Sequence, residues 1–320
     1  MGKTTKLWLI IAIGSIFIGT IILVGAMLLL KWDFMKFSTV NFQTNTYKID
    51  NHFYNISLNA DTEDISFIPS EDSGCKVVFF EKINLKHSVT VENGTLNIHK
   101  MDERKWYEHI GINFRSPKIT IYLPAGEYGR LTIQTDTSDT KIAKDFKFES
   151  IDITQSTGDV INYASAVDSI QIKASTGRIT TEDISAKTID LSTSTGTITA
   201  SGIVCEGNIA TNVSTGRTNL TNITCKNLLS DGNTGDAVLK NVIAAEKFTI
   251  KRSTGDIQLD SCDAAEISIT TDTGDVRGTL LSDKVFIAQT DTGRVDVPKT
   301  VSGGRCEIST DTGDIKIAID

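Results

Sequence analysis

A Thr-Gly pair recurs at near-constant spacing from residue 131 to the end of the chain. Successive glycines are separated by 19 or 20 residues over nine copies, and a degenerate copy, Thr137-Ser138-Asp139, precedes the first. The repeated glycines are Gly158, Gly177, Gly196, Gly216, Gly235, Gly255, Gly274, Gly293 and Gly313. A fixed period of this length is typical of proteins in which one small structural unit stacks on the next. This repeat excludes most ordinary globular folds.

Apolar residues keep a fixed phase relative to each glycine. In the copy around Gly177, Ile170 and Ile172 stand seven and five residues before the glycine, and Ile179 stands two after it. Within each copy the apolar positions alternate, as they do in half-buried strands. β-branched residues dominate these positions, which favours strands over helices. Each copy therefore predicts a strand, a Thr-Gly turn, a second strand, a corner and a third strand.

One such unit cannot bury its own apolar row, so the copies must stack. We expect an all-β fold, a parallel β-solenoid with about 19–20 residues per coil over residues 131–320. Ten coils at about 4.8 Å each would form a rod of roughly 45–50 Å. A leucine-rich repeat has a similar period, but its Leu-x-x-Leu-x-Leu pattern and its Asn ladder are absent from the sequence.

Residues 46–130 predict an irregular β region that starts the solenoid. Asn93-Gly94 between two alternating segments predicts a hairpin, and residues 119–124 read as a strand that ends at a proline. Residues 101–115 break the pattern and predict a surface loop or short helix. Its aromatic side chains, Trp106, Tyr107 and Phe114, are candidates for a binding loop.

The N-terminus carries a long apolar stretch. Residues 7–30 contain no charge and span roughly 36 Å as a helix, which is enough to cross a bilayer. A cleaved signal peptide is the alternative, but it requires a shorter stretch and a clear cleavage site. We predict a cytoplasmic tail at 1–6, an uncleaved anchor at 7–30 and a linker at 31–45. The flanking lysines favour the N-terminus inside and the solenoid outside.

Charge and composition exclude several function classes. Residues 131–320 carry 18 basic and 27 acidic residues, a net charge of −9, which argues against binding nucleic acid. Histidine occurs only at four positions before residue 110. The sequence shows no nucleophile elbow, zinc-protease motif or phosphate-binding loop. We therefore expect a protein that is not an enzyme and has neither a cofactor nor a metal-ligand pattern.

The turns form an acidic column. Aspartates two before or one after the glycine make weak candidates for calcium ligands: Asp272, Asp275, Asp291, Asp311 and Asp314. The competing interpretation is a solvated, hydrogen-bonded turn in which arginines offset the acids, and the charge alternation favours it. Cys205 and Cys225 lie one coil apart, which allows a strained disulfide, although small apolar filler is the simpler interpretation.

This layout resembles a known family. The anchor, the stretches at 93–98 and 119–124, and the serial Ser/Asp-Thr-Gly-Asp coils resemble bacterial β-strand-repeat proteins known as putative adhesins, including membrane-anchored LiaG-like members linked to cell-envelope stress systems. The resemblance implies a single-pass cell-membrane protein with an extracytoplasmic solenoid that binds an envelope polymer or a partner protein. Two alternatives are a bactofilin-like scaffold that associates end to end and a polysaccharide-cleaving β-helix.

Overall fold

The structure, a computed structural model, describes residues 2–29, 31–33, 41–72, 74–83, 85–101 and 115–320. One helix, α1 (Lys3–Leu29), comes first, and its segment Thr4–Leu29 is long and apolar enough to cross a membrane. Strands make up most of the remainder and wind into a β-solenoid of about ten turns, which confirms the predicted fold class. The helix begins four residues before the predicted anchor, and the first strand begins inside the predicted linker.

The irregular part contains the first seven strands and the start of the eighth. They are β1 (Phe42–Ile49), β2 (Asn55–Asn59), β3 (Asp64–Pro69), β4 (Cys75–Lys82), β5 (Lys86–Glu92), β6 (Thr95–Met101), β7 (Lys118–Leu123) and β8 (Gly126–Thr137). The predicted hairpin joins β5 to β6, with positive φ at both Asn93 and Gly94. Such a turn matches the natural twist of the two strands.

The regular part contains the other strands, several of which continue round a corner. They are β9 (Thr140–Ile142), β10 (Phe146–Thr157), β11 (Val160–Asn162), β12 (Ser165–Glu182), β13 (Ser185–Ala186), β14 (Thr188–Cys205), β15 (Asn208–Thr234), β16 (Ala237–Thr254), β17 (Ile257–Thr273), β18 (Val276–Leu280), β19 (Lys284–Thr292), β20 (Val295–Asp296), β21 (Gly304–Thr312) and β22 (Ile315–Ile319).

Parallel pairing keeps equivalent residues of successive coils opposite each other. Ile153 pairs with Ile172, and Ile172 pairs with Leu191. All three side chains are fully buried, as are Ile250 and Ile269 further along. The aliphatic column predicted from the repeat is therefore the core of the solenoid. We call the sheet formed by the strands before each glycine face 1. The sheet formed by the strands after each glycine is face 2.

The repeated glycines line up as one column of bends. Their φ angles lie between 118° and 156°, a region that side chains with a Cβ rarely adopt. A Cβ on any of them would also lie only 1.7–2.3 Å from a carbonyl oxygen of the adjacent coil. Glycine is thus required at this bend both by the backbone angle and by the close stacking.

The last two coils stack in the reverse of their chain order. Gly274 donates its N–H to Thr312 at 2.9 Å, and Gly313 donates to Thr292 at 3.0 Å. The coil of β21 and β22 therefore lies between that of β17 and β18 and that of β19 and β20. The inner coil has fully buried Cys306 and Ile308, whereas Phe286 of the outer coil is only half-buried. The coil with the more complete apolar set occupies the inner place.

The N-terminal end is built differently. On face 2, β7 has an antiparallel neighbour, β4, which in turn pairs with β1. On face 1, β6 is followed by the antiparallel strand β5. Antiparallel strands thus continue both faces beyond the first coils, and among the described strands β1 and β5 pair on one side only.

Candidate functional site

The acidic turn column is a hydrogen-bonded ladder. The backbone N–H of Asp256 donates to Oδ1 of Asp236 at 3.2 Å, and the N–H of Asp275 donates to Oδ1 of Asp256 at 2.9 Å. The next coil continues the pattern, because the N–H of Asp314 donates to Oδ1 of Asp275 at 2.7 Å. One carboxylate oxygen of each residue is therefore occupied by the next coil.

Arginines engage the other carboxylate oxygen at both ends of this run. Arg294 Nη2 lies 3.0 Å from Asp314 Oδ2, and Arg217 Nη2 lies 3.1 Å from Asp236 Oδ2. The hydrogen bond from Arg294 is the main reason that the pKa of Asp314 is lowered. Asp275 is paired with Arg277 in the same way. This geometry supports the hydrogen-bonded interpretation of the turn.

The other three calcium candidates stand apart from the ladder. Asp272, Asp291 and Asp311 are exposed, two residues before their glycines. Within the described ranges, His, Cys, Asp and Glu side chains do not form a group of three or more that could hold a metal ion. All five cysteines are free thiols, so Cys205 and Cys225 are not joined, and burial raises the pKa of Cys225 to about 12.

The predicted binding-loop residues Trp106, Tyr107 and Phe114 lie outside the described residues. A different surface, on the outside of face 1, is a candidate binding site. Two contiguous depressions of about 470 and 390 Å³ share Arg130, Ser150 and Ser169. We call their combined lining the face-1 groove; it comprises Asn55, Ile56, Ser57, Thr95, Arg130, Thr132, Glu149, Ser150, Ile151, Asp152, Asp168, Ser169, Ile170, Gln171, Thr188 and Asp190.

The groove crosses six neighbouring strands, in the order β6, β2, β8, β10, β12 and β14. At about 4.8 Å per strand it runs roughly 24 Å along the solenoid. Thr132, Asp152 and Gln171 occupy paired positions in successive strands, so their outward side chains form one row. Gln171 donates to Asp190 at 3.4 Å at the end of that row. The groove thus presents hydrogen-bonding groups at a regular interval.

The charge of the groove is mostly negative. Four carboxylates line it, those of Glu149, Asp152, Asp168 and Asp190, against the single cation Arg130. At the end nearest β2, the exposed ring of Tyr54 stands over Gly129, where a Cβ would lie 2.4 Å from the ring. An amphipathic ring beside polar groups is a common feature of binding surfaces.

Sequence reasoning did not select this groove. The available signal was the slot six residues before each glycine, which holds Asp152, Gln171 and Asp190 in three consecutive coils and then changes to Ala210 and Leu229. That slot faces outward, and its polarity is what any solvated strand would show. The two-residue alternation alone does not distinguish a solvated face from a binding face.

A buried ionic cluster lies under the antiparallel strands at the N-terminal end. His87 Nδ1 is 2.6 Å from Glu81 Oε2, and His87 Nε2 is 3.7 Å from Glu63 Oε1. Phe79 stacks on the imidazole at 4.8 Å. Burial lowers the pKa of His87, but its interactions with Glu63 and Glu81 outweigh this and raise the pKa to about 9. The imidazole is therefore charged at neutral pH and joins three separate segments.

One protein family matches most of the chain, in two overlapping segments. The family called Toastrack DUF4097 matches residues 53–214 and 204–320. No curated protein matches the chain.

Similar solved structures include three from Bacteroides and Parabacteroides species. A putative adhesin from Parabacteroides distasonis is 12% identical, with a TM-score of 0.51, over 74% of this chain and 97% of that one. A putative adhesin from Bacteroides fragilis is 14% identical, with a TM-score of 0.42, over 87% and 97%. A putative lipid binding protein from Parabacteroides distasonis is 18% identical, with a TM-score of 0.48, over 73% and 97%. Likeness at this level of identity concerns the fold alone.

Proposed function

The chain belongs to the Toastrack DUF4097 family, and from that premise we propose that it is a membrane-anchored binding protein whose solenoid holds an envelope glycan in the face-1 groove. Its helix anchors it in the cell membrane as a single span, with the N-terminus inside and the solenoid extracytoplasmic. It acts by binding and is not an enzyme.

The row of outward polar side chains in the face-1 groove carries this proposal. Thr132, Asp152 and Gln171 repeat at the strand spacing on a rigid sheet. A linear polymer rich in hydroxyl groups can satisfy such a row along its length, and a pre-formed sheet loses little freedom on binding. A small ligand would need an enclosed pocket, which an open sheet face does not supply.

The charge of the groove determines whether an anionic, neutral or cationic polymer can bind there. Four carboxylates against one arginine repel a phosphate-rich or sulfated chain and attract one that carries amino groups. We therefore assign the groove to a neutral or amino-bearing glycan.

Binding by the full chain in detergent micelles tests this assignment. The probes are chitosan oligosaccharides, a neutral glucan and polyphosphate. We expect binding to the glycans and none to polyphosphate, and the double variant Asp152→Asn with Asp190→Asn should weaken chitosan binding about tenfold or more, corresponding to about 1.4 kcal/mol. Glu182→Gln, an exposed change on face 2, is the matched control. Preference for polyphosphate, or equal chitosan binding by the groove and control variants, would contradict the proposal.

A separate experiment tests the orientation. Val301 is 94% exposed, so Val301→Cys offers a reactive thiol on the solenoid. A membrane-impermeant maleimide should label this variant on intact cells, whereas Gly2→Cys should be labelled only after lysis. The reverse pattern would place the solenoid in the cytoplasm.

A further inference from the structure

The two ends of the solenoid differ in a way that bears on self-association. At the N-terminal end the outermost strands are β1, which pairs only with β4, and β5, which pairs only with β6, among the described strands. At the other end, β19 pairs only with β21, and β20 only with β22, among the described strands. Both ends therefore present a one-sided strand edge, but Lys48 on β1 and Lys86 on β5 are exposed at the N-terminal end, whereas β19 and β20 carry no exposed lysine.

The C-terminal end of the rod also exposes part of the core. Phe286 and Ala288 point inward on β19 but are only half-buried, unlike their equivalents in the coils below. Val285 and Ile287, which alternate with them, are 40% and 47% exposed. The edge lacks a protecting lysine on β19, because Lys284 is buried against Asp263 at 2.6 Å. An edge of this kind is a template for another strand.

We propose that this edge, residues 284–296, pairs with the same edge of a second copy to form a tail-to-tail dimer. Among the described edge strands, only those of the C-terminal end lack an exposed lysine, so we place the contact between the same patch of two copies, related by a two-fold axis. Such a contact closes as a dimer, whereas a head-to-tail filament would pair it with the lysine-bearing edges of β1 and β5.

The sequence of β19 is compatible with antiparallel pairing to itself. With the two-fold axis at Ala288, Phe286 lies opposite the partner's Thr290, and the inward side chains of both copies share one continuous interior. Asp283 then lies opposite the partner's Gly293, next to the partner's Arg294. The Arg294 side chain is 88% exposed. This charge complementarity occurs twice, once on each side of the axis, and fixes the register.

Cross-linking of the full chain in detergent tests the dimer. Ala288→Cys places two thiols at the axis, where cross-strand Cβ atoms are about 4.5–5.5 Å apart. The native cysteines are buried or half-buried, so they contribute little background. Mild oxidation should convert Ala288→Cys to a covalent dimer on a non-reducing gel. Val204→Cys, 60% exposed on the side of a central coil, should remain monomeric.

A mass measurement completes the test and does not depend on the new thiol. The protein part of the wild-type particle should weigh twice the 34.8 kDa of one chain by light scattering. Ile287→Lys places a charge on the outward side of the edge and should raise the dimer dissociation constant more than tenfold without changing the melting temperature. A wild-type mass of one chain, or equal cross-linking of the two cysteine variants, would overturn the dimer and leave the glycan proposal unaffected.

Discussion

The guanidinium of Arg252 lies inside the solenoid over Gly232 of the neighbouring coil, where a Cβ would be 3.1 Å from its Cζ atom. The glycine leaves the room that the large side chain needs. Nη2 donates to the hydroxyls of Ser230 and Thr218, each at 3.0 Å, and Nη1 donates to the Ser230 carbonyl at 3.0 Å. Burial lowers the pKa of Arg252 to about 10, so the side chain is still charged at neutral pH.

Arg252→Met should destabilise the protein by about 3 kcal/mol, because it removes the donor to the buried Thr218 hydroxyl and one of the two donors to the Ser230 hydroxyl, the other being the Thr211 hydroxyl. Adding Thr211→Val, Ser230→Ala and Thr218→Val should recover most of this loss, since a matched apolar set is often as stable as a buried polar one. Urea unfolding measures both. Lys173→Met, an exposed change, is the control. A combined variant no more stable than the single one would show that the loss comes from cavity formation.

Gly196→Ala should destabilise the protein by at least about 1–3 kcal/mol, because its φ of 153° is unfavourable for alanine. The added Cβ would also lie 1.9 Å from the Gly177 carbonyl oxygen. Gly126→Ala is the matched control, since nothing lies within 4 Å of its Cβ position. Thermal melting of the two variants compares them. Equal melting temperatures would mean that the bend relaxes more easily than its stacking suggests.

Stability should depend on pH through the buried cluster of Glu63, Glu81 and His87. The pKa of His87 is raised to about 9, so its stabilising effect is complete below about 6.5 and is lost as pH rises through 9. Burial raises the pKa of Glu63, but its hydrogen bonds and the His87 charge outweigh this and lower it to about 2. Its effect is complete above about 4.5 and is lost as pH falls through 2.

The melting temperature should therefore be highest between about pH 4.5 and 6.5 and decline by several degrees toward pH 9. His87→Gln should remove most of the alkaline decline while lowering stability at pH 6. His99→Gln, on the neighbouring strand outside the cluster, serves as the comparison. If the melting temperature of His87→Gln falls as much toward pH 9 as that of the wild type, groups other than His87 cause the decline.

The aspartate ladder makes a prediction about calcium. One oxygen of Asp275 accepts the N–H of Asp314, and the other is paired with Arg277. Millimolar calcium should leave the melting temperature of the full chain unchanged. Asp275→Asn keeps an acceptor and should be close to neutral, whereas Asp275→Ala should cost about 1 kcal/mol. A calcium-dependent rise in melting temperature that Asp275→Asn abolishes would support a calcium site at this turn.

The coil architecture could be predicted because its determinants recur within each copy. Gly177 carries the same information as its counterpart in every other coil, and Ile172 as its counterpart in most of them, so nine copies reinforce one interpretation. The Arg252 network could not be predicted, although Ser230 and Thr218, which bind Arg252, and Thr211, which binds Ser230, are visible as polar residues in apolar slots. The pairing of one such residue with another depends on three-dimensional packing across coils, and a single copy contains no trace of it.

The buried cluster was missed for a related reason. Glu63, Glu81 and His87 come from three different segments of the irregular region, where no repeat defines which side chains point inward. The face-1 groove was missed because its outward residues differ little from solvated ones. The order of the last two coils was also hidden, since steps of 19 and 20 residues fit either order.

That reversed order has a consequence for synthesis on the ribosome. The coil at 284–296 leaves the exit tunnel first, yet the surface on which it packs belongs to residues 304–319, which are made afterwards. Coil-by-coil growth of the rod in chain order therefore stops at β18 until residues 304–319 are available, and the last two coils must then pack together.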